Sequence, residues 1–379
     1  MSDNEYIRNI IQDAKCNEWP VGLYGLGQLG QDMGCQFLEW IGLKPDFVCD
    51  KNKSAIEEYQ KKHPDVKGVD YDSLLLSQKE ALVFVCVGVA YIEEVCSVLR
   101  ENPLLHIITI DDITSLDSVL EKFYGVQNIR SYAKESPSRL VDPNSVSSQF
   151  QNERIAIYTC VTGGYDHVKE PLCVEENCDY YLISDRQYPD LQVYRQLDVN
   201  DFIPNGSLTN AEKNRWCKMH GHRIFKDHRY SIYLDGSIQL TRPISQYVKQ
   251  VGHSGIAIHK HPLRSCIYEE GLRLIASKRG NIDYQGLRRQ MKRYLEDGMP
   301  REYGLFECTM IVRDNSNSIG KQITEEWFEE YLQGERRDQL SLTYVLWKNA
   351  IPSGDVGILN DGQNIRKNPD FTMNEEHGT

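Results

Sequence analysis

The stretch Arg229-Tyr230-Ser231-Ile232-Tyr233-Leu234-Asp235-Gly236-Ser237 is an aromatic-rich apolar run that stops at an acid, a glycine and a hydroxyl. A run of that length and composition reads as a buried strand. In open α/β sheets, ligands bind just beyond the carboxyl ends of the strands. Asp235 at such an end can coordinate a divalent metal or hold a sugar hydroxyl, and Gly236 lets the backbone approach a ligand closely. The competing reading is a strand followed by an ordinary turn that Asp235 starts.

With 379 residues the chain is too long for one ordinary domain, and two is the expectation. Hydrophobic content of 40% and charged content of 26% describe a soluble globular protein. A net charge of −12 argues against a nucleic-acid partner, which demands a basic surface. The start, Met1-Ser2-Asp3-Asn4-Glu5, lacks a secretory pattern, and the longest apolar run, Ala81 to Ile92, is too short to span a bilayer. Of the eleven cysteines, none form a Cys-x-x-Cys pair, and Cys173 with Cys178 lacks the second pair a zinc site needs. The expectation is a cytoplasmic protein with reduced thiols and no transmembrane segment.

Residues 1–128 alternate strand and helix patterns, which predicts an α/β fold with a Rossmann-like parallel sheet. Val21-Gly22-Leu23-Tyr24 leads into Gly25-x-Gly27-x-x-Gly30, and Asp50 ends the next strand. That pattern meets the dinucleotide-binding fingerprint, with pyrophosphate over Gly25, Gly27 and Gly30 at a helix start and a ribose hydroxyl on Asp50. The segment also resembles small Rossmann-like modules attached to sugar-modifying enzymes of bacterial polysaccharide pathways, in which such a turn binds a nucleotide or only shapes the fold. Residues 129–152 turn to Ser, Pro, Asn and Gln without periodicity and read as a linker. A second α/β domain spans 153–350, and 351–379 reads as a polar, poorly ordered tail.

In the second domain, the strand through Thr159 ends in Thr162-Gly163-Gly164-Tyr165-Asp166, which leaves room for a flat base or a phosphate, or is only a turn. Asp185 closes the next strand, where it can accept from a base N–H or start a turn. The helical stretch Thr209 to Met219 puts Lys213, Trp216 and His220 on one face, with Arg215, Lys218 and His222 beside it. Those cations can neutralise a diphosphate leaving group, or form a solvated basic face anchored by Trp216. His259 and His261 can ligate a metal together if both lie on an extended strand. Asp338, at a helix start, gains from the dipole and can equally face a site.

Five blocks in order resemble a family of glycosyltransferases of plants and bacteria, with plant members tied to pectic and mucilage polysaccharides. They are Ile157 to Asp166, Tyr230 to Gly236, Lys260-His261-Pro262-x-Arg264-x-Cys266-x-Tyr268-Glu269-Glu270, Gly304-Leu305-Phe306-Glu307, and Arg337-Asp338-Gln339 through Lys348. The resemblance covers about residues 154–348 and implies a GT-A-like fold that uses a nucleotide-activated sugar. It implies transfer from a nucleoside-diphosphate sugar to a polysaccharide or glycoconjugate acceptor.

On that reading Thr159, Gly163, Gly164, Tyr165, Asp185, Lys213, Arg215, Lys218, His261 and Arg264 bind the donor. Asp235, Glu307 and Asp338 carry the chemistry: Asp235 holds a metal or the donor sugar, and Glu307 and Asp338 are candidates for acceptor activation or carboxylate support of the oxocarbenium-like centre. A divalent cation, Mn or Mg, would sit on Asp235. GT-A enzymes commonly carry Asp-x-Asp at that strand, whereas Asp235 is followed by Gly236 and Ser237, so a metal would need other ligands such as His261 or a water shell. The alternatives are an NAD(P)-dependent oxidoreductase built on the first domain, and a non-catalytic nucleotide-sugar-binding protein.

Overall fold

The structure, a computed structural model, describes residues 3–136, 153–203, 208–276 and 282–373. Two compact units emerge: Met1–Tyr132 with Tyr268–Lys292, and Ala133–Ile267 with Arg293–Thr379.

The first unit opens with α1 (Asp3–Cys16), β1 (Val21–Tyr24), α2 (Cys35–Trp40), β2 (Phe47–Asp50), α3 (Lys53–Lys62), β3 (Lys67–Asp70) and α4 (Tyr71–Leu75). It continues with β4 (Ala81–Val85), α5 (Val89–Leu99), β5 (Leu105–Thr109), α6 (Ile110–Thr114) and α7 (Asp117–Tyr124). The strands form a wholly parallel sheet in the order β3-β2-β1-β4-β5. The direction in which successive strands are added reverses between β1 and β4, where the turn after β1 carries the three glycines. Every residue of β1 and β4 is buried, as expected of strands covered by helices on both faces.

The second unit is built on a seven-stranded mixed sheet. Its elements are β6 (Ile155–Val161), β7 (Cys178–Ser184), β8 (Arg195–Asp198), α8 (Asn210–Met219), α9 (Gly221–Ile224), β9 (Tyr230–Leu234), β10 (Ile238–Leu240) and β11 (Ile256–Lys260). Two helices follow, α10 (Ile267–Ala276) and α11 (Tyr284–Asp297). Then come β12 (Phe306–Asp314), α12 (Ser318–Gln333), α13 (Asp338–Lys348), β13 (Gly357–Ile358) and β14 (Phe371–Met373). The sheet order is β13-β11-β12-β9-β6-β7-β8, with β6, β7, β8 and β9 parallel and β12 antiparallel to both its neighbours.

Central β6 shows why the chain folds this way. Ala156, Tyr158 and Cys160 enter one core and Ile155, Ile157 and Val161 the other, so the strand packs on both faces. The parallel strands end together, which puts Thr162–Gly164, Asp185 and Asp235 on the same edge of the sheet. β12 starts at that edge, and near its start the pairing with β11 slips, from Ile258↔Ile311 to His259↔Glu307. A slip of this kind re-aims the side chains beyond it. Phe306 and Cys308 accordingly join the same core as Ile311, although alternation would have sent them to the opposite one.

Two expectations about organisation change. The polar C-terminal stretch is folded as far as Met373: β14 pairs with β10, and Leu359, Ile365 and Phe371 are buried in the core. Residues 374–379 lie outside the described residues. Residues Tyr268–Lys292, expected in the second domain, instead belong to the first unit. There Tyr124 donates to the Tyr268 carbonyl at 2.6 Å, Arg273 pairs with Asp111 at 3.1 Å, and Phe123 meets Tyr284 edge-on. Of the expected linker, Ile129–Tyr132 forms a short 3-10 turn with Ile129 buried, and 137–152 lie outside the described residues.

Candidate active site

Helix α8 brings the cations. Thr209 and Glu212 make a capping box at its start, with Glu212 accepting from the Thr209 amide at 2.9 Å, so the helix begins cleanly. At its end, the Tyr158 hydroxyl donates to the carbonyls of Cys217 and Lys218, and the buried Arg313 guanidinium donates to the Lys218 carbonyl and to the Tyr158 hydroxyl. Arg215 and Lys218, one turn apart, thereby reach the acids together.

The Lys218 ammonium lies 3.1 Å from Asp235 Oδ1 and 2.7 Å from Asp338 Oδ2, while Arg215 Nε lies 3.2 Å from the same Asp338 oxygen. The Tyr233 hydroxyl donates to Asp235 Oδ1 at 3.0 Å, and the Tyr233 ring flanks the ammonium, its centroid 5.2 Å away. The Lys218 side chain is 1% exposed, that of Asp338 11%, and that of Asp235 27%. Asp235 is thus the acid that opens to solvent. Burial works against the Lys218 ammonium, but the Asp235 and Asp338 charges outweigh it and raise its pKa. Burial likewise opposes the Asp338 carboxylate, and the Lys218 and Arg215 charges overcome it, holding the group well below the usual carboxylate range.

Glu307 completes the group. Thr309 Oγ1 donates to its Oε1 at 2.7 Å and Gln339 Nε2 to its Oε2 at 3.0 Å. Burial, reinforced by the Asp235 and Asp338 charges and only partly offset by the Thr309 hydrogen bond, raises its carboxyl pKa above the ordinary value. A buried carboxyl shifted toward neutrality suits proton transfer. The Thr309 carbonyl also accepts from the Asp235 amide at 2.9 Å, tying β12 to the end of β9.

A second group lies at the ends of β6 and β7. Gly163 and Gly164 have φ of 66° and 69°, a left-handed turn that side chains resist. The Gly163 amide donates to Asp185 Oδ2 at 2.9 Å, so Asp185 shapes the turn as well as facing it. Thr159 is buried in β6, and Tyr165 is 61% exposed.

Other expected donor residues stand apart. Lys213 donates to Asn200 Oδ1 at 3.1 Å and not to the acids of the cluster. His261 lies past the end of β11, where its Nδ1 accepts from the Arg264 amide at 3.1 Å. This ring nitrogen and the Arg264 backbone therefore order their own loop. His259, fully buried in the strand, does not share an extended face with His261. Among the described residues, no group of three His, Cys, Asp or Glu is placed to hold a metal ion.

Sequence reasoning passed over three residues. Arg186 crosses the Gly164 turn, where any side chain on the glycine would strike its guanidinium; the signal was a cation directly after Asp185. Asp166 packs against Gly236, its Oδ2 2.9 Å from the place a side chain there would begin. Arg313, buried in β12, is the third.

In the first unit, Gly25 has φ of 95° and faces the Cys86 carbonyl, and a side chain at Gly30 would run into the Gly25 carbonyl. Gly27 has open space around it. Asp50 accepts from the Leu26 amide at 2.7 Å and from the Asn52 amide at 2.8 Å, so both its oxygens are engaged in holding the turn.

This edge of parallel strand ends gathers three carboxylates and two cations beside a glycine turn. Residues 202–360 match the model of the TOD1/MUCI70, glycosyltransferase-like domain. The match takes in Asp235, Glu307, Asp338 and the α8 cations, and it leaves out the Ile157–Asp166 block. Among solved structures, the chain is similar to the apo form of WbbM, a bifunctional glycosyltransferase, at 14% identity and a TM-score of 0.35, over 57% of this chain. The chain spans 40% of that protein's length. No curated protein matches the chain. No described helix is long and apolar enough to cross a membrane.

Proposed function

We propose that the protein is a glycosyltransferase that moves a sugar from a nucleoside-diphosphate donor to a hydroxyl of a polysaccharide or glycoconjugate acceptor, on a GT-A-like second unit. The observation that carries this is the cluster of Lys218, Asp235, Asp338 and Glu307 at the carboxyl edge of the sheet. The Gly163–Gly164 turn and Asp185 receive the base, and Arg215 and Arg186 offer cations to the diphosphate. Asp235, the open acid, orients the donor sugar. Glu307 takes the proton of the acceptor hydroxyl as its oxygen bonds to the anomeric carbon and the bond to the diphosphate oxygen breaks. Asp338 touches no substrate in this reading and fixes the two α8 cations.

The first unit serves as a scaffold on this reading. Asp50 is occupied by the backbone of its own turn, which argues against the oxidoreductase alternative. The test is nucleoside-diphosphate release from a panel of sugar nucleotides, with and without oligosaccharide acceptors. Transfer by the parent and at least a ~100-fold loss in Glu307→Gln support the proposal. A Glu307→Gln variant as fast as the parent removes Glu307 as the base, and a parent that binds nucleotide sugars without turnover supports the non-catalytic alternative.

A further inference from the structure

We infer that this site carries its own cation: the Lys218 ammonium holds the place between Asp235 and Asp338 that a divalent ion would otherwise take, so the donor is bound without added metal. The inference rests on reading these acids as the donor face, and it concerns what neutralises them.

Two carboxylates converge on one ammonium at 3.1 and 2.7 Å, and that ammonium is enclosed, with the side chain 1% exposed. Asp235 Oδ1 accepts from both Lys218 and the Tyr233 hydroxyl, so one of the two oxygens it could offer a metal is already engaged. Arg215 adds a second positive charge at Asp338, so an entering divalent ion would meet two fixed cations beside its ligands. Hard divalent ions need several oxygen ligands, and the supporting ligand expected from the sequence, His261, has its Nδ1 engaged in its own loop.

Lys218 is also not free to swing away. Tyr158 and Arg313 hold its carbonyl from below, and the Tyr233 ring flanks its head. A lysine is suited to this task, being a compact point charge on a stem that packs as a hydrocarbon. The consequence for the donor is that its diphosphate must be met by side chains, with Arg215, 31% exposed, closest to the cluster.

The experiment titrates Mn²⁺ into the full chain without any sugar nucleotide and follows free Mn²⁺ by its electron paramagnetic resonance signal. The expected result is no saturable binding that depends on Asp235 in the parent. Lys218→Met, which keeps the volume and removes the charge, should bind Mn²⁺ at least about tenfold tighter by leaving two unpaired carboxylates; Lys218→Gln serves if the methionine variant fails to fold. Donor turnover by the parent should be the same in EDTA and in Mn²⁺. Saturable Mn²⁺ binding by the parent that Asp235→Asn abolishes would overturn the inference, as would turnover that EDTA stops. Because the titration needs no reaction, absence of transfer in a parent that leaves Mn²⁺ free counts against the proposed function alone.

Discussion

Asp338 and Asp235 share one lysine, yet removing their charges has different consequences. Asp338→Asn keeps shape but leaves the buried Lys218, with only Asp235 as partner, and the half-buried Arg215 around a neutral amide, at positions where they now lie 3.2 (Arg215) and 2.7 Å (Lys218) from a carboxylate. At such separations each pair is worth about 5 kcal/mol of gross attraction at an effective dielectric near 20, most of it cancelled by desolvation. What remains is the cost of a buried cation that loses the closer of its two partners, at most about 3–5 kcal/mol. For a unit of this size that lowers the melting temperature by roughly 6–20 °C. Asp235→Asn is milder, since its side chain is 27% exposed and Lys218 keeps Asp338, so the cost is about 1 kcal/mol, or roughly 2–4 °C. Activity should rank the other way in cause. Asp235→Asn should lose about a hundredfold in donor turnover while staying folded, because it faces the substrate. Calorimetric melts and steady-state turnover of both variants decide this. Equal melting temperatures would refute the view that Asp338 is the structural partner, and parent-like turnover in folded Asp235→Asn would remove it from the site.

Glu307 has a raised pKa in the folded chain, so its protonated form favours folding; stability is present below the unfolded glutamate value and falls as pH rises through the folded one. Glu307→Gln should therefore gain in melting temperature over the parent as pH goes from about 4 to 8, and a constant difference would argue against the shift. Asp338 has the opposite sign: its lowered pKa adds stability above about pH 4 that is lost as pH falls, so the Asp338→Asn deficit should shrink in acid. Gly30→Ala should destabilise the first unit by striking the Gly25 carbonyl, whereas Gly27→Ala, in open space, should melt like the parent; circular-dichroism melts compare them. A fragment beginning at Glu153 carries Tyr268–Lys292 without the Asp111, Phe123 and Tyr124 they pack on, and it should be less soluble and less cooperative than the full chain by ultracentrifugation and calorimetry.

Much of the site could be read from the sequence because it sits where strands stop. Asp235, Asp185 and Gly163–Gly164 each follow an apolar run, and the parallel sheet collects such ends by construction. The spacing of Arg215 and Lys218 predicted neighbouring positions on one helix. Their partner did not follow, because Asp338 arrives from a helix over a hundred residues later. Glu307 depends on a slip in β-pairing that no periodicity encodes. The folded C-terminal stretch was hidden for another reason: Leu359, Ile365 and Phe371 are too widely spaced to form a pattern, and only the fold brings them into one core. The placement of Tyr268–Lys292 with the first unit is a long-range choice, and local pattern is silent on it.

The slip in β12 has one more consequence. Beyond it, Phe306 and Glu307 pair with β11, while the register with β9 runs only from Met310 to Asp314. The end that bears Glu307 is therefore laced to one neighbour, and the rest of the strand to two. Sideways displacement of that end breaks few ladder bonds and leaves the central sheet whole. On the proposed function, that freedom would let the carboxylate follow acceptors of different size, while Asp235 and its lysine stay seated on the stiff side of the seam.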